Sequence, residues 1–256
     1  EPIEGARRQL ALVATVQVLG LAVWFSATAI APTLRAEWGL STGAAVWLTG
    51  HFDPDLGLTY WGTGNPGPWI GDQRPGDNLY TSSVVALDAN TGELRWHFQF
   101  TPDDPYDYDA VQIPVLADIT RNNTEFKVML WANRNGFYYV LDRATGRFLS
   151  GRPFVTVNWA EGLDDSGRPI ETPQPPGEPT YPSLYGGTNW FSPSYSPRTE
   201  LFYVQAFDGE DLFYKRDEDY VEGDRYTGGG GQRPLPTDAY QSAIRAIDPK
   251  TGDIRG

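Results

Sequence analysis

Three segments of this chain repeat one turn. Ala86-Leu87-Asp88-Ala89-Asn90-Thr91-Gly92-Glu93-Leu94-Arg95-Trp96 is followed by Val140-Leu141-Asp142-Arg143-Ala144-Thr145-Gly146-Arg147-Phe148, and then by Ala246-Ile247-Asp248-Pro249-Lys250-Thr251-Gly252-Asp253-Ile254. Each reads as a strand, Asp-x-x-Thr-Gly and a second strand. The carboxylate can accept turn N–H groups, and glycine accepts the left-handed conformation that closes the turn. Phe52 to Tyr60 and Tyr195 to Tyr203 look like a second class of hairpin. Asp88 and Asp142 are 54 residues apart, and Asp142 and Asp248 are 106 apart, close to twice that. A period near 50 with about four strands per unit predicts an all-β fold, a β-propeller. Unrelated hairpins that share good turn chemistry are the plainer alternative.

Composition agrees with an all-β chain. In 256 residues there are 28 Gly, 21 Pro and 9 Trp, with 40% hydrophobic residues, which excludes wholesale disorder. The net charge of -13 argues against a nucleic-acid partner. Without cysteine there is no disulfide, thiolate zinc site or cysteine nucleophile. Two histidines leave little room for a histidine metal cage or triad. Counting units predicts about three four-stranded antiparallel blades, near 45–102, 108–155 and 186–256. Residues 155–185 and 208–238 read as loops or insertions, and Gly228 to Gly231 as a flexible patch. Four blades are the usual minimum for closure, so three leave open edges.

The first 43 residues form a separate segment from 44–256. From Leu10 to Leu34 there is no charge, and 25 helical residues span roughly 37 Å, more than the bilayer core. This predicts one transmembrane helix; a buried soluble helix and a cleaved signal peptide fit less well. Arg7 and Arg8 before the run and Arg35 after it favour a cytoplasmic N-terminus. The remainder is then membrane-anchored and periplasmic in a Gram-negative source. Val23-Trp24-Phe25-Ser26-Ala27-Thr28-Ala29 through Pro32-Thr33-Leu34-Arg35-Ala36-Glu37-Trp38-Gly39-Leu40 resembles the first helix and following loop of major facilitator superfamily transporters. No second apolar span follows, and one helix cannot build a transport path.

The β-rich part has its own resemblance. It is carried by Trp61-Gly62-Thr63-Gly64-Asn65-Pro66-Gly67-Pro68-Trp69, Arg74-Pro75-Gly76-Asp77-Asn78-Leu79-Tyr80, the Ala86–Trp96 run, Thr101-Pro102-Asp103-Asp104-Pro105-Tyr106-Asp107-Tyr108-Asp109, Asn133-Arg134-Asn135-Gly136 and Gly186-Gly187-Thr188-Asn189-Trp190. These resemble the quinoprotein alcohol dehydrogenases, eight-bladed propellers that use pyrroloquinoline quinone (PQQ). The resemblance implies Asn65, Asp107 and Asp109 at a metal, Ca²⁺ or a lanthanide ion, with Asp107 also the catalytic base. An acid at the position of Asp109 marks the lanthanide branch. Arg134 resembles the arginine that bonds the quinone carbonyls. Asn189 and Trp190 resemble a PQQ-contacting pair, and Trp47 falls where the family stacks a tryptophan on the PQQ ring. The transporter-like sequence runs through Gly43 and the dehydrogenase-like sequence begins at about Ala44, which implies a junction between unrelated coding regions.

Physical chemistry supports part of this. Asp107 and Asp109 are two apart, so in extended chain both carboxylates point the same way. With an amide they make a hard oxygen site, suited to Ca²⁺ or a lanthanide and not to zinc. From spacing alone they are equally solvated loop acids, Arg134 a surface ion pair and Trp47 a core aromatic. The family usually has His where this chain has Asp103. Its N-terminal blades, with a glutamate ligand and an adjacent cysteine pair, have no counterpart here. The expected activity is oxidation of a small primary alcohol with hydride passing to PQQ, weak or absent in the chain alone. Electrons would leave to a c-type cytochrome or the membrane quinone pool. The alternative is a non-catalytic, membrane-anchored propeller fragment that serves as a binding or assembly module.

Overall fold

In a computed structural model of the chain, residues 50–121, 123–172, 174–175, 177–224, 226–235 and 241–256 are described. The chain divides into two units, Glu1–Leu40 and Ser41–Gly256, and the described residues all belong to the second. The expected helix over 10–34 and Trp47 lie outside the described residues. Among the described residues no helix is long and apolar enough to cross a membrane.

The described chain is all-β apart from one 3-10 turn, Gly71–Gln73. Strands β1 (His51–Asp53), β2 (Leu58–Gly62), β3 (Ser83–Asp88) and β4 (Leu94–Gln99) form a four-stranded antiparallel meander. Strands β5 (Val115–Arg121), β6 (Thr124–Ala132), β7 (Phe137–Asp142) and β8 (Phe148–Pro153) form a second with the same order. The predicted loop over 155–185 instead contains a hairpin, β9 (Ala160–Leu163) and β10 (Pro169–Glu171). The third sheet has β11 (Ser194–Ser196) and β12 (Leu201–Asp208). Its next strand in sequence is not its next strand in space. A hairpin of β13 (Asp211–Lys215) and β14 (Gly230–Pro234) intervenes before β15 (Gln241–Ile247), which pairs with β12. The fourth strand expected of this blade is reduced to one bridge, Ile247 to Ile254.

The repeated turns form as their chemistry dictates. Asp88 Oδ1 accepts the N–H of Asn90 at 2.9 Å and of Thr91 at 3.0 Å. Asp142 Oδ1 does the same for Ala144 and Thr145, both at 3.0 Å. Asp248 Oδ1 accepts Lys250 N–H at 2.9 Å. The closing glycines Gly92, Gly146 and Gly252 have φ of 75°, 72° and 76°, the left-handed region that penalises other residues.

The second meander is apolar on both faces, and strand alternation divides those faces cleanly. Met129, Trp131, Phe137, Tyr139 and Leu141 pack toward the first meander with Tyr60, Val84, Ala86 and Trp96. Val128, Leu130, Ala132, Tyr138 and Val140 pack toward the third sheet with Phe202, Val204, Ala206 and Ile247. Each fully buried large side chain contributes about 1.5–3 kcal/mol. The second sheet is thus a middle layer, which is why β6 and β7 read as unbroken apolar runs.

A further consequence of the meanders positions the site. Antiparallel strands reverse at each turn, so the end of β2, the start of β3 and the end of β4 lie at one end of their sheet. The same holds for β6, β7 and β8. The Asp-x-x-Thr-Gly turns close the opposite end.

Candidate active site

Four segments leave the sheets at this end: 63–82 after β2, 100–114 after β4, 133–136 between β6 and β7, and the stretch leading into β11. They are tied to one another by hydrogen bonds. Ala110 N–H donates to Thr63 O at 3.0 Å, and Gly187 N–H donates to Arg134 O at 2.8 Å. Asn135 Nδ2 donates to Phe100 O at 3.0 Å, and Trp159 Nε1 donates to Asn135 O at 2.9 Å.

At the junction stand three of the predicted residues. Asp109 Oδ1 accepts the backbone N–H of Asn65 at 2.7 Å. Asp109 Oδ2 accepts from Arg134 Nη1 at 2.6 Å, and both side chains are buried. Arg134 Nη2 donates to Leu184 O at 2.5 Å, while its buried Nε has no partner. Burial pushes the Asp109 carboxyl above the usual carboxylate range; Arg134 and the Asn65 N–H pull it back.

Asp107 is half-buried in the same segment. Its φ is 63°, so the segment is not extended there. The expectation that alternation points the Asp107 and Asp109 carboxylates the same way therefore loses its geometric basis. Asn189 is buried, and its amide is used within its own loop: Nδ2 donates to Tyr185 O at 2.9 Å and Oδ1 accepts Trp190 N–H at 3.0 Å. Trp190 is 49% exposed, so its indole is open to a flat ligand.

Two supports of the site are missing from the sequence reading. Asp104 is fully buried; its Oδ1 accepts Tyr106 N–H at 2.9 Å, and its Oδ2 accepts Tyr108 N–H at 2.7 Å and Ser82 Oγ–H at 3.0 Å. It thus holds the backbone on both sides of Asp107. Burial raises its carboxyl to about 6. Arg74 gathers the long loop, donating to Pro68 O, Trp69 O and Asp104 O at 2.7, 2.7 and 2.8 Å and pairing with Asp103 at 2.6 Å. The signal available was a lone arginine among Pro, Gly and acidic residues. Asp104 gave none beyond an Asx-turn spacing to Tyr106.

The residues fit PQQ by kind. That molecule carries carbonyl and carboxylate oxygens, all acceptors, and the buried Nε–H of Arg134 is a donor without a partner. A Cβ at Gly186, where φ is +83°, would meet Arg134 Cβ at 2.8 Å, so this loop reaches the arginine only as glycine. A hard cation is also matched in kind by the oxygens of Asn65, Asp107 and Asp109, but not in number. Among the described residues no three His, Cys, Asp or Glu side chains cluster to hold a metal, and both Asp109 oxygens are engaged.

Comparison with known proteins agrees with this fold. The chain is 41% identical over 223 residues to quinoprotein alcohol dehydrogenase PedH of Pseudomonas putida, covering 82% of this chain and 37% of that protein. It is 49% identical over 148 residues to 1-butanol dehydrogenase (cytochrome c) of Thauera butanivorans, covering 55% of this chain and 21% of that one. The solved quinohemoprotein alcohol dehydrogenase of Comamonas testosteroni superposes with a TM-score of 0.76 at 34% identity, over 83% of this chain and 34% of that one. A europium-containing methanol dehydrogenase gives a TM-score of 0.76 at 33% identity, over 84% and 39%. The chain thus spans well under half the length of the relatives it matches. A family model described as PQQ, glucose/ethanol/alcohol dehydrogenase, β-propeller domain, matches residues 25–157. That span opens inside the transporter-like stretch, so the comparisons lend the implied junction near Gly43 and Ala44 no support. The match covers just over half the chain, and the chain belongs to this PQQ alcohol dehydrogenase β-propeller family.

Proposed function

We propose that this chain contributes to PQQ-dependent oxidation of a primary alcohol, with Asp107 as the base. The observation that carries this is the convergence of Asn65, Asp109 and Arg134 from three segments at one end of the sheets. PQQ, when bound, supplies the hydride acceptor. Arg134 would hold its oxygens through Nε–H, and Trp190 offers an exposed indole for contact. Asn189 acts one step back, fixing the Trp190 backbone. Trp47 keeps its proposed stacking role from the sequence resemblance alone.

Asn65, Asp107 and Asp109 would hold Ca²⁺ or a lanthanide ion. Ca²⁺ takes six to eight oxygens, so this set needs further ligands, and weak activity is expected of the chain alone. Asp107 would accept the alcohol proton in its half-buried position. Asp104 keeps that position fixed through the amides of Tyr106 and Tyr108. A c-type cytochrome as electron acceptor is supported by the name of the butanol dehydrogenase relative; a membrane quinone is the alternative. Membrane anchoring and a periplasmic location rest on the apolar run over 10–34 alone.

The test is reconstitution of purified protein with PQQ and either Ca²⁺ or La³⁺, followed by alcohol-dependent dye reduction. Asp107→Asn should abolish the rate while leaving bound PQQ in place. An equal rate in Asp107→Asn contradicts the assignment. The non-catalytic reading gains if no PQQ is retained.

A further inference from the structure

The guanidinium of Arg134 is held at both Nη atoms, by Asp109 Oδ2 at 2.6 Å and by Leu184 O at 2.5 Å. A guanidinium is planar, so two held Nη atoms fix its plane and with it the direction of Nε–H. That Nε is buried and without a partner. One of the two holds is a backbone carbonyl, and its place depends on what secures the 180–187 loop.

Asp211, the first residue of β13, secures it. Its Oδ2 accepts Leu184 N–H at 2.8 Å, and the residue is 2% exposed. Leu184 is thus gripped on both sides of its Cα, its amide by Asp211 and its carbonyl by Arg134. We propose that Asp211 is a positioning residue for Arg134: through Leu184 it sets the direction in which Arg134 Nε–H meets the cofactor. The inference rests on the reading of Arg134 as the group that holds PQQ.

A carboxylate suits this task. Thr180 and Ser183 are buried, so water is a poor substitute acceptor for the Leu184 amide. An ionised acceptor also makes a shorter and stronger bond than a neutral one.

The surroundings hold Asp211 in place. Thr180 N–H donates to Asp211 O at 2.9 Å, and Asp211 N–H returns a bond to Thr180 O at 3.2 Å. Ser183 N–H donates to Gly209 O at 2.8 Å. Two residues beyond Asp211, Phe213 meets Tyr106 edge-on, with ring centres 5.2 Å apart at 81°. The loop in turn reaches both halves of the site. Gly187 N–H donates to Arg134 O at 2.8 Å, and Tyr108, between Asp107 and Asp109, donates its hydroxyl to Pro182 O. Preorganisation of this kind reduces the ordering cost of binding. A guanidinium held by Asp109 alone can turn about that one contact, and its Nε–H loses its aim.

The experiment follows the Arg134 Nε–H resonance of the full chain by two-dimensional NMR without PQQ, assigned by its loss in Arg134→Lys. Asp211→Ala should move it and speed its exchange with water. Asp211→Asn keeps an acceptor oxygen and should restore most of the wild-type position. PQQ is then titrated into Asp211→Ala, Arg134→Ala and the double variant. Asp211→Ala should weaken binding about three- to tenfold, within the scale of one hydrogen bond, and add no loss in the Arg134→Ala background. Equal losses in both backgrounds mark a merely structural residue and overturn the proposal, as does an unmoved Nε–H. Thermal transitions report whether the variants are folded. If Asp211→Ala does not fold, Asp211→Asn decides: its neutral bond is weaker, so Nε–H should exchange faster than in the wild type, and an identical rate overturns the proposal. Failure of the wild type to bind PQQ counts against the proposed function alone, because the Nε–H resonance is read without cofactor.

Discussion

Arg134 Nη1 lies 2.6 Å from Asp109 Oδ2, and this ion pair joins the turn between β6 and β7 to the segment between β4 and β5. Both partners are buried, so each neutralises a charge that water cannot reach. Removing one leaves the other uncompensated, at a cost of about 3–5 kcal/mol. Arg134→Ala should lose that much in urea denaturation, and the double variant Arg134→Met/Asp109→Leu should recover most of it. Additive losses in the double variant would contradict a coupled pair.

The same pair bears on metal binding. A cation at Asp109 competes with the guanidinium for the same oxygen. La³⁺ should therefore raise the melting temperature of Arg134→Ala more than that of the wild type. Equal shifts would place the cation away from Asp109.

Blade-to-blade docking is testable at two glycines. Gly92 and Gly146 have the same left-handed φ, 75° and 72°. A Cβ at Gly92 meets nothing within 4 Å, whereas one at Gly146 would come within 2.5 Å of Trp96 Cε3. Gly92→Ala should cost only the backbone strain, about 1 kcal/mol. Gly146→Ala must also displace a largely buried indole, adding roughly 1–3 kcal/mol. Equal losses by chemical denaturation would mean that Trp96 does not bear on the turn.

Asp104 makes a pH prediction of definite sign. Its folded value, about 6, lies above the ordinary 3.8. Between those values the folded state binds more protons than the unfolded one. The contribution of Asp104 to stability is therefore greatest below about 4 and falls as pH rises to about 6, by at most roughly 3 kcal/mol. Carboxylates with lowered values, such as Asp88 at about 2 beside Arg95, act in the opposite sense. The comparison must be wild type against Asp104→Asn at each pH. Relative to the variant, wild type should lose stability from pH 4 to pH 7; a flat difference would refute the assignment.

How legible this was depends on the range of the interaction. The Asp-x-x-Thr-Gly turns are local chemistry, and Asp88, Asp142 and Asp248 each bond their own turns as expected. The alternation in β6 and β7 is equally local, yet which face meets which sheet is visible only in the fold. Asn65, Asp109 and Arg134 are separated by 44 and 25 residues. Their meeting follows from strand reversal, and only the family resemblance singled them out beforehand. Spacing misled at Asp107, because a left-handed residue breaks the alternation that the argument assumed. Asp104 was hidden in an acidic run where nothing distinguishes a buried carboxylate from a solvated one. The hairpin that brings Phe213 to Tyr106 was read as loop, since its strands are short and one opens on Gly230-Gly231.

We propose that Arg134 anchors the cofactor in this chain. Equilibrium titration of PQQ, followed by its absorbance after dialysis in Ca²⁺ or La³⁺, tests it most directly. Wild-type protein should retain PQQ, and Arg134→Ala should bind it at least tenfold more weakly, the scale of one lost charge-assisted hydrogen bond. Retention by Arg134→Ala equal to that of the wild type would place the anchor elsewhere.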